Sequence, residues 1–331
     1  MTRFALLCVL AFLVVPVLAF GQAAPPAISA PAPIAPPAPA VPAIPQPPEW
    51  VSRQTPAEQK WVNDVLSYWE ARSNKIKIFE CKFERWDYDP IFGPKTEAKT
   101  YAEGVIKYAQ PDKGLFQVEK LFAYAPPTQA GQKNYVEQDA SFGEHWICDG
   151  KVIYAFEAPK KQLTVTPLPP EMQGQAIADG PLPFMFGARA ETIKARYWLH
   201  EMPEGMKPEG SKGKYCLEAI PKSRQDAQNF GQVRIILDGK EFLPEIIEVY
   251  APNANQQNPS RQTFRFSERK TTDEAALAGL IASALDPLKI FHRNFHEPKT
   301  PAGWKKVILN DNIAAAAGPP PQNQPAPPKA R

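Results

Sequence analysis

Phe79-Glu80-Cys81-Lys82-Phe83-Glu84 alternates apolar and charged residues without a break. Successive side chains of an extended chain point to opposite faces, so Phe79, Cys81 and Phe83 share one face and the charged residues the other. The stretch therefore reads as a strand with one buried and one wet face. On its N-terminal side stands a helix signature: Thr55 as cap, Pro56 at the first helical position, Glu58 three residues after the cap, then Val62, Val65, Leu66 and Trp69 on one stripe. That stripe must lie on something apolar.

On the C-terminal side, strand candidates follow at Glu103 to Tyr108, Leu115 to Leu121, His145 to Cys148, Val152 to Phe156, Gln162 to Thr166, Tyr215 to Ile220, Val233 to Leu237, Glu245 to Tyr250 and Gln262 to Phe266. Asp149-Gly150, Pro159-Lys160-Lys161 and Asp238-Gly239 supply turn chemistry between several of them. Many short strands joined by tight turns predict an antiparallel meander and not βαβ units. A shorter helix is expected at Ala190 to Leu199. A third, Asp273 to Leu288, carries Leu277, Leu280, Ile281 and Leu285 at helical spacing. The expected class is mainly β with helices (α+β), an antiparallel half-open β-barrel covered by helices. Its bent sheet is expected to hold an apolar hollow not filled by its own side chains.

The chain has 331 residues, of which 44% are apolar and 22% charged, with a formal net charge of +3. So small an excess gives no footing for a polyanion, and nucleic acid is disfavoured as a partner. Met1-Thr2-Arg3, an uncharged run from Phe4 to Phe20 and the small-residue exit Gly21-Gln22-Ala23 form a secretory leader, with cleavage expected after Ala23. The alternative, an uncleaved anchor, would need a longer run than this one for an easy bilayer span. The expected address is thus periplasmic or secreted. Cys81, Cys148 and Cys216 then remain, which allows at most one disulfide; Cys81 and Cys148 pairing and buried free thiols are both open readings.

Residues 24–48 are almost wholly Ala and Pro, a composition that favours a stiff polyproline II spacer and cannot bury a core. A Pro-rich tail ends the chain. The organisation expected is a leader at 1–23, the spacer at 24–48, one β-rich domain at 49–312 and the tail at 313–331.

In this order along the chain, several short motifs resemble the LolA-type periplasmic lipoprotein carriers. They are Phe79-Glu80-Cys81-Lys82-Phe83, Glu103-Gly104-Val105-Ile106-Lys107, Pro111 followed by Leu115-Phe116, Asp149-Gly150-Lys151 with Tyr154, and Pro183-Phe184-Met185-Phe186-Gly187-Ala188-Arg189. Ala219-Ile220-Pro221-Lys222 and Pro301-Ala302-Gly303-Trp304 complete the series. The resemblance covers most of the folded unit. It implies an incomplete barrel closed by helices, whose cavity takes acyl chains of a lipid or lipoprotein without covalent chemistry and without a cofactor. Phe116 matches the aromatic at the entrance, and Phe184, Met185 and Phe186 match lid residues. With Phe79, Cys81, Phe83 and Tyr154 they make the expected lining. Where the carriers have an arginine that locks the lid, this chain has Gln110. The chain is also similar to secreted proteins of planctomycete-type bacteria that share the Pro-Phe-Met and late Gly-Trp features. Certain envelope-stress regulators contain a similar module, so an envelope protein is the alternative partner; a monomer is expected.

Other constellations fail on spacing. His145 and Cys148, three apart on a strand, fall on opposite faces and make no dyad. His292 and His296 have helical i, i+4 spacing but lack the glutamate of a zinc protease motif between them. Asp87 with Asp89, and Glu80 with Glu84, read as strand or turn surface residues, and Arg189 as a surface or lid cation. No enzyme is expected.

Overall fold

The computed structural model describes residues 45–127, 134–168, 189–255, 257–273 and 295–309. Within them lie α1 (Glu49–Arg53), α2 (Pro56–Asn74), α3 (Ala190–Arg196) and α4 (Arg224–Ala227). The strands are β1 (Ile76–Tyr88), β2 (Thr100–Ala109), β3 (Lys113–Tyr124), β4 (Tyr135–Gln138), β5 (His145–Cys148), β6 (Val152–Glu157) and β7 (Gln162–Pro167). They continue as β8 (Tyr197–Glu201), β9 (Tyr215–Pro221), β10 (Gln232–Leu237), β11 (Pro244–Tyr250), β12 (Arg261–Asp273) and β13 (Lys305–Ile308).

All thirteen strands join one open sheet in the order β13-β7-β6-β5-β3-β2-β1-β12-β11-β10-β9-β8, with β4 paired to β3 off that path. Its two ends, β8 and β13, do not meet, so the sheet is open and not a closed barrel. The mainly β, helix-covered class expected from the alternation is the one observed. Pairing is antiparallel except at β13, which runs parallel to β7; the all-antiparallel expectation fails there.

The cap at Thr55 forms as its sequence predicts. The Glu58 N–H donates to Thr55 Oγ1 at 3.3 Å, and the Glu58 carboxylate accepts the Thr55 N–H at 2.7 Å. The stripe Val62, Val65, Leu66 and Trp69 is the buried face of α2. It joins one core with Phe79, Cys81 and Phe83 of β1, Ala102 and Ile106 of β2, Phe116 and Val118 of β3, and residues of β8 to β12. The face that these residues share is the inner face.

Curvature has a local cause at β2. Gly104 lies between Phe83 and Val118 in register, and a Cβ there would stand 2.6 Å from the Phe83 ring and 2.1 Å from Gln117 O. Without that carbon, Phe83 of β1 leans across β2 to stack on Phe116 of β3, centroids 4.6 Å apart. An irregularity in the β2–β3 register at the same glycine adds to the bend.

Two expectations need correction. The helix expected at Ala190 to Leu199 ends at Arg196, because Tyr197 and Leu199 turn to the inner face as alternate residues of β8. Between β3 and β5 the chain forms β4 and a one-turn helix that the alternation did not mark. The helix expected from Asp273 begins on a residue that closes β12. The leader, the spacer up to 44, residues 274–288 and the tail from 313 lie outside the described residues. No described helix is long and apolar enough to cross a membrane.

Candidate functional site

The inner face is paved with rings. Phe116 stacks on Phe83 at 4.6 Å and on Trp146 at 5.9 Å; Phe264 lies 6.1 Å from Phe83 and 6.0 Å from Phe266. This floor crosses β12, β1, β3 and β5. α2 shares one core with this floor and packs nearest β8, α3 and β1; it and the turn before it are held to the fold by a few polar ties. Gln54 Nε2 donates to Leu199 O at 3.1 Å, Arg72 donates to Glu241 O at 3.1 Å and to Thr271 Oγ1 at 3.1 Å, and the Glu70 carboxylate accepts the Ala190 N–H at 3.0 Å. The indole N–H of Trp69 is buried with no hydrogen-bond partner among the described residues. An unsatisfied buried donor costs about 1–3 kcal/mol, so α2 carries a penalty in this position.

Phe79, Cys81, Phe83 and Phe116 come together as expected, and they are 2%, 1%, 1% and 5% exposed. The four are packed in one buried core that also holds the α2 stripe Val62, Val65, Leu66 and Trp69.

Tyr154 separates from them. It pairs with Ile147, which pairs with Leu115, and with Val165, all on the outer face, where it joins a second core with Phe295. Its hydroxyl donates to Asp149 Oδ2 at 3.2 Å. Its sequence gives its alternation within β6, but only the register to β5 and β3 tells which face is which. Phe184, Met185 and Phe186 lie outside the described residues. Gln110 is exposed, and its N–H donates to Lys77 O at 2.9 Å.

The remaining candidates are placed as structural groups. Cys81 and Cys148 are both free and buried; β2 and β3 stand between their strands, three spacings or roughly 14 Å in all, which excludes a disulfide. Burial pushes the Cys81 thiol up to about 12 and the Cys148 thiol up to about 11, the reverse of an activated nucleophile. His145 stacks on Phe156 at 4.1 Å on the outer face, and burial lowers its pKa. Asp87 holds the buried guanidinium of Arg85 at 3.1 Å, Glu144 pairs with the same group, and Thr100 donates to Asp87 at 2.8 Å. Asp89 accepts the N–H groups of Ile91 and Phe92 at 3.3 and 3.1 Å and shapes that turn. Glu80 pairs with Lys107 at 3.8 Å and Glu84 with Arg265 at 3.7 Å. Arg189 is exposed and precedes α3; His296 is exposed, and His292 lies outside the described residues. Among the described residues no group of three or more His, Cys, Asp or Glu is placed to hold a metal ion.

Sequence reading missed Trp146, Phe264 and Phe266 as part of the floor. Their alternation was visible, but membership of the floor depends on which strands neighbour β1. It also missed a cluster of exposed apolar residues, Ile91 and Phe92 in the β1–β2 connection and Val136 on β4, at one end of the sheet.

No family model matches the sequence, and no curated protein matches it. Among solved structures, the chain is similar to an uncharacterized conserved protein from Thermus thermophilus, at 10% identity and TM-score 0.37, over 76% of this chain and 99% of that one. It is similar to a LolA superfamily protein from Nitrosomonas europaea, at 11% identity and TM-score 0.26, over 63% and 94%. It is also similar to a chain in the MucA/MucB complex of Pseudomonas aeruginosa, at 11% identity and TM-score 0.30, over 65% and 59%. No role follows from likenesses at this level.

Proposed function

We propose that this chain is an exported, non-enzymatic binding protein of the cell envelope that seats acyl chains of a lipid or lipoprotein on the inner face, with α2 as the displaceable cover. The observation that carries the reading is the aromatic floor that shares one core with α2, whose buried Trp69 N–H lacks a partner among the described residues. Lifting α2 uncovers Val62, Val65, Leu66 and Trp69, each worth about 1.5–3 kcal/mol, so roughly 6–12 kcal/mol opposes opening. A methylene removed from water returns about 0.8 kcal/mol, so some 8–15 methylenes offset the cost. The ligand class is therefore long-chain, and neither a charged headgroup contact nor a cofactor is required. Phe184, Met185 and Phe186 belong to the proposed cover by the sequence resemblance.

The test is a chain-length series of fatty acids measured by calorimetry and native mass spectrometry. Binding is expected to be absent at six carbons and to rise steeply between about ten and sixteen. Affinity that is equal at six and sixteen carbons, or absent throughout, would refute the reading.

One observation favours a second reading, a protein partner: the exposed Ile91, Phe92 and Val136 at one end of the sheet. Phe92→Asp separates the two. Acyl-chain binding should survive the substitution, whereas loss of retention of an envelope peptide without loss of lipid would move the functional surface to this end.

A further inference from the structure

After Phe83, the next inner-face residue of β1 is a cation. Arg85 pairs in register with Ala102 of β2 and Phe264 of β12, both members of the main core. Its guanidinium carbon lies 5.9 Å from the centre of the Phe264 ring, and its side chain is only 9% exposed. The floor of Phe83, Phe116, Trp146 and Phe264 thus ends at a buried guanidinium. An apolar surface with one well-placed polar group at its end is how sites for amphiphiles fix the orientation of what they hold.

Two carboxylates meet Arg85, and they are not equivalent. Asp87, on the same strand, accepts the Arg85 Nε–H at 3.1 Å and the Thr100 hydroxyl at 2.8 Å, so it is held by two donors. Glu144 accepts from Arg85 Nη1, and Arg85 is its one side-chain partner among the described residues. The Glu144 side chain is 34% exposed against 20% for Asp87. Its main chain is pinned. A Cβ on Gly143 would stand 2.5 Å from the Val118 side chain, so only glycine lets the connection approach β3 this closely, and the Val118 N–H donates to Glu144 O at 2.9 Å. Only the Glu144 side chain has to turn for its carboxylate to reach water.

Resting on the acyl-chain reading above, we infer that Arg85 is the headgroup anchor of the inner face, where the carboxylate of a long-chain fatty acid replaces that of Glu144. A buried guanidinium left unpaired is strongly unfavourable, whereas exchanging one carboxylate for another keeps it paired throughout. The fit is to a carboxylate because a carboxylate already occupies the position, and the planar fork of arginine matches that group. An ammonium headgroup would find Asp87 and Glu144 already committed to Arg85. From Arg85 back to Phe79, six residues of strand give the tail a path of about 20 Å along the floor. Burial of the tail supplies the affinity, and Arg85 supplies orientation and a preference for the acid over a neutral chain of the same length.

The test is calorimetry on the full chain at pH 8 with three twelve-carbon probes below their micellar concentrations: dodecanoate, dodecanol and dodecylamine. Dodecanoate is expected to bind about tenfold more tightly than dodecanol, the difference between a charged and a neutral hydrogen-bond partner. Glu144→Gln weakens the internal competitor, so it should tighten dodecanoate severalfold and leave dodecanol unchanged. Arg85→Gln should erase the preference while dodecanol still binds; if circular dichroism shows that variant unfolded, Glu144→Gln decides alone. Equal binding of acid and alcohol, tighter binding of the amine, or a preference that Glu144→Gln leaves unaltered would overturn the anchor and leave the acyl-chain reading standing. Absence of binding by all three probes would remove both.

Discussion

At Cys81 and Cys148 burial pushes the thiols up to about 12 and about 11, and at Tyr108 and Tyr154 it pushes the phenols up to about 12. All four are acids whose charged form the folded state disfavours. Their stabilising contribution is whole below the unfolded values, near 9 for cysteine and 10 for tyrosine, and is lost as pH rises toward the folded ones. The urea midpoint should therefore be level up to about pH 9 and fall steadily from there. Cys81 and Cys148 should resist a thiol reagent at pH 8 until denaturant is added. A midpoint unchanged to pH 11, or rapid modification of both thiols in the folded chain, would contradict this placement. At the same scale Gly104 shows how one missing carbon shapes the site: it lets Phe83 reach Phe116 across β2. Nothing in the sequence marks that glycine apart from its place in a strand, where glycine is otherwise unfavourable.

Among the elements, α2 is part of the core and, on the proposed function, also the cover, and mutation can separate the two. If it were core alone, Leu66→Ala would only destabilise, by about 2–5 kcal/mol. If it is a cover, the same substitution weakens the closed state selectively, and uptake of a long-chain fatty acid should become faster and tighter in protein that remains folded at the assay temperature. Stopped-flow uptake read beside circular dichroism distinguishes the two; lower stability with unchanged uptake would count against the cover. The helix and β1 were legible in the sequence because each has a complete local signal: a capping box with an apolar stripe, and six residues of strict alternation. β8 was not. Tyr197-Trp198-Leu199 continues an apolar helical pattern, and only its pairing with β9 makes it a strand. β13 and β4 have four residues each, too few to establish a period, and β13 exists by its parallel pairing with β7. The site divides in the same way. Phe79, Cys81 and Phe83 share a face because alternation within one strand requires it. Tyr154 fell on the other face because the registers of β3, β5 and β6, which span many residues of chain, decide its side.

Over the whole molecule, one open sheet presents two differently built faces. The inner is largely apolar and shares its core with α2; the outer carries ion pairs and rings alternating with arginines. Because its ends, β8 and β13, remain unjoined, the proposed opening can widen the inner face without breaking the strand ladder. Opening is then local to α2, and the strands β1 and β2 that carry the floor should keep their protection while it happens. Hydrogen exchange of Val62 to Trp69 against β1 and β2, with and without a sixteen-carbon fatty acid, tests this most directly. α2 is expected to exchange through a low-energy opening separate from global unfolding, and the fatty acid to change its exchange while β1 and β2 stay protected. Exchange of α2 only with global unfolding, at the same free energy as β1 and β2 and unaltered by the fatty acid, would contradict it.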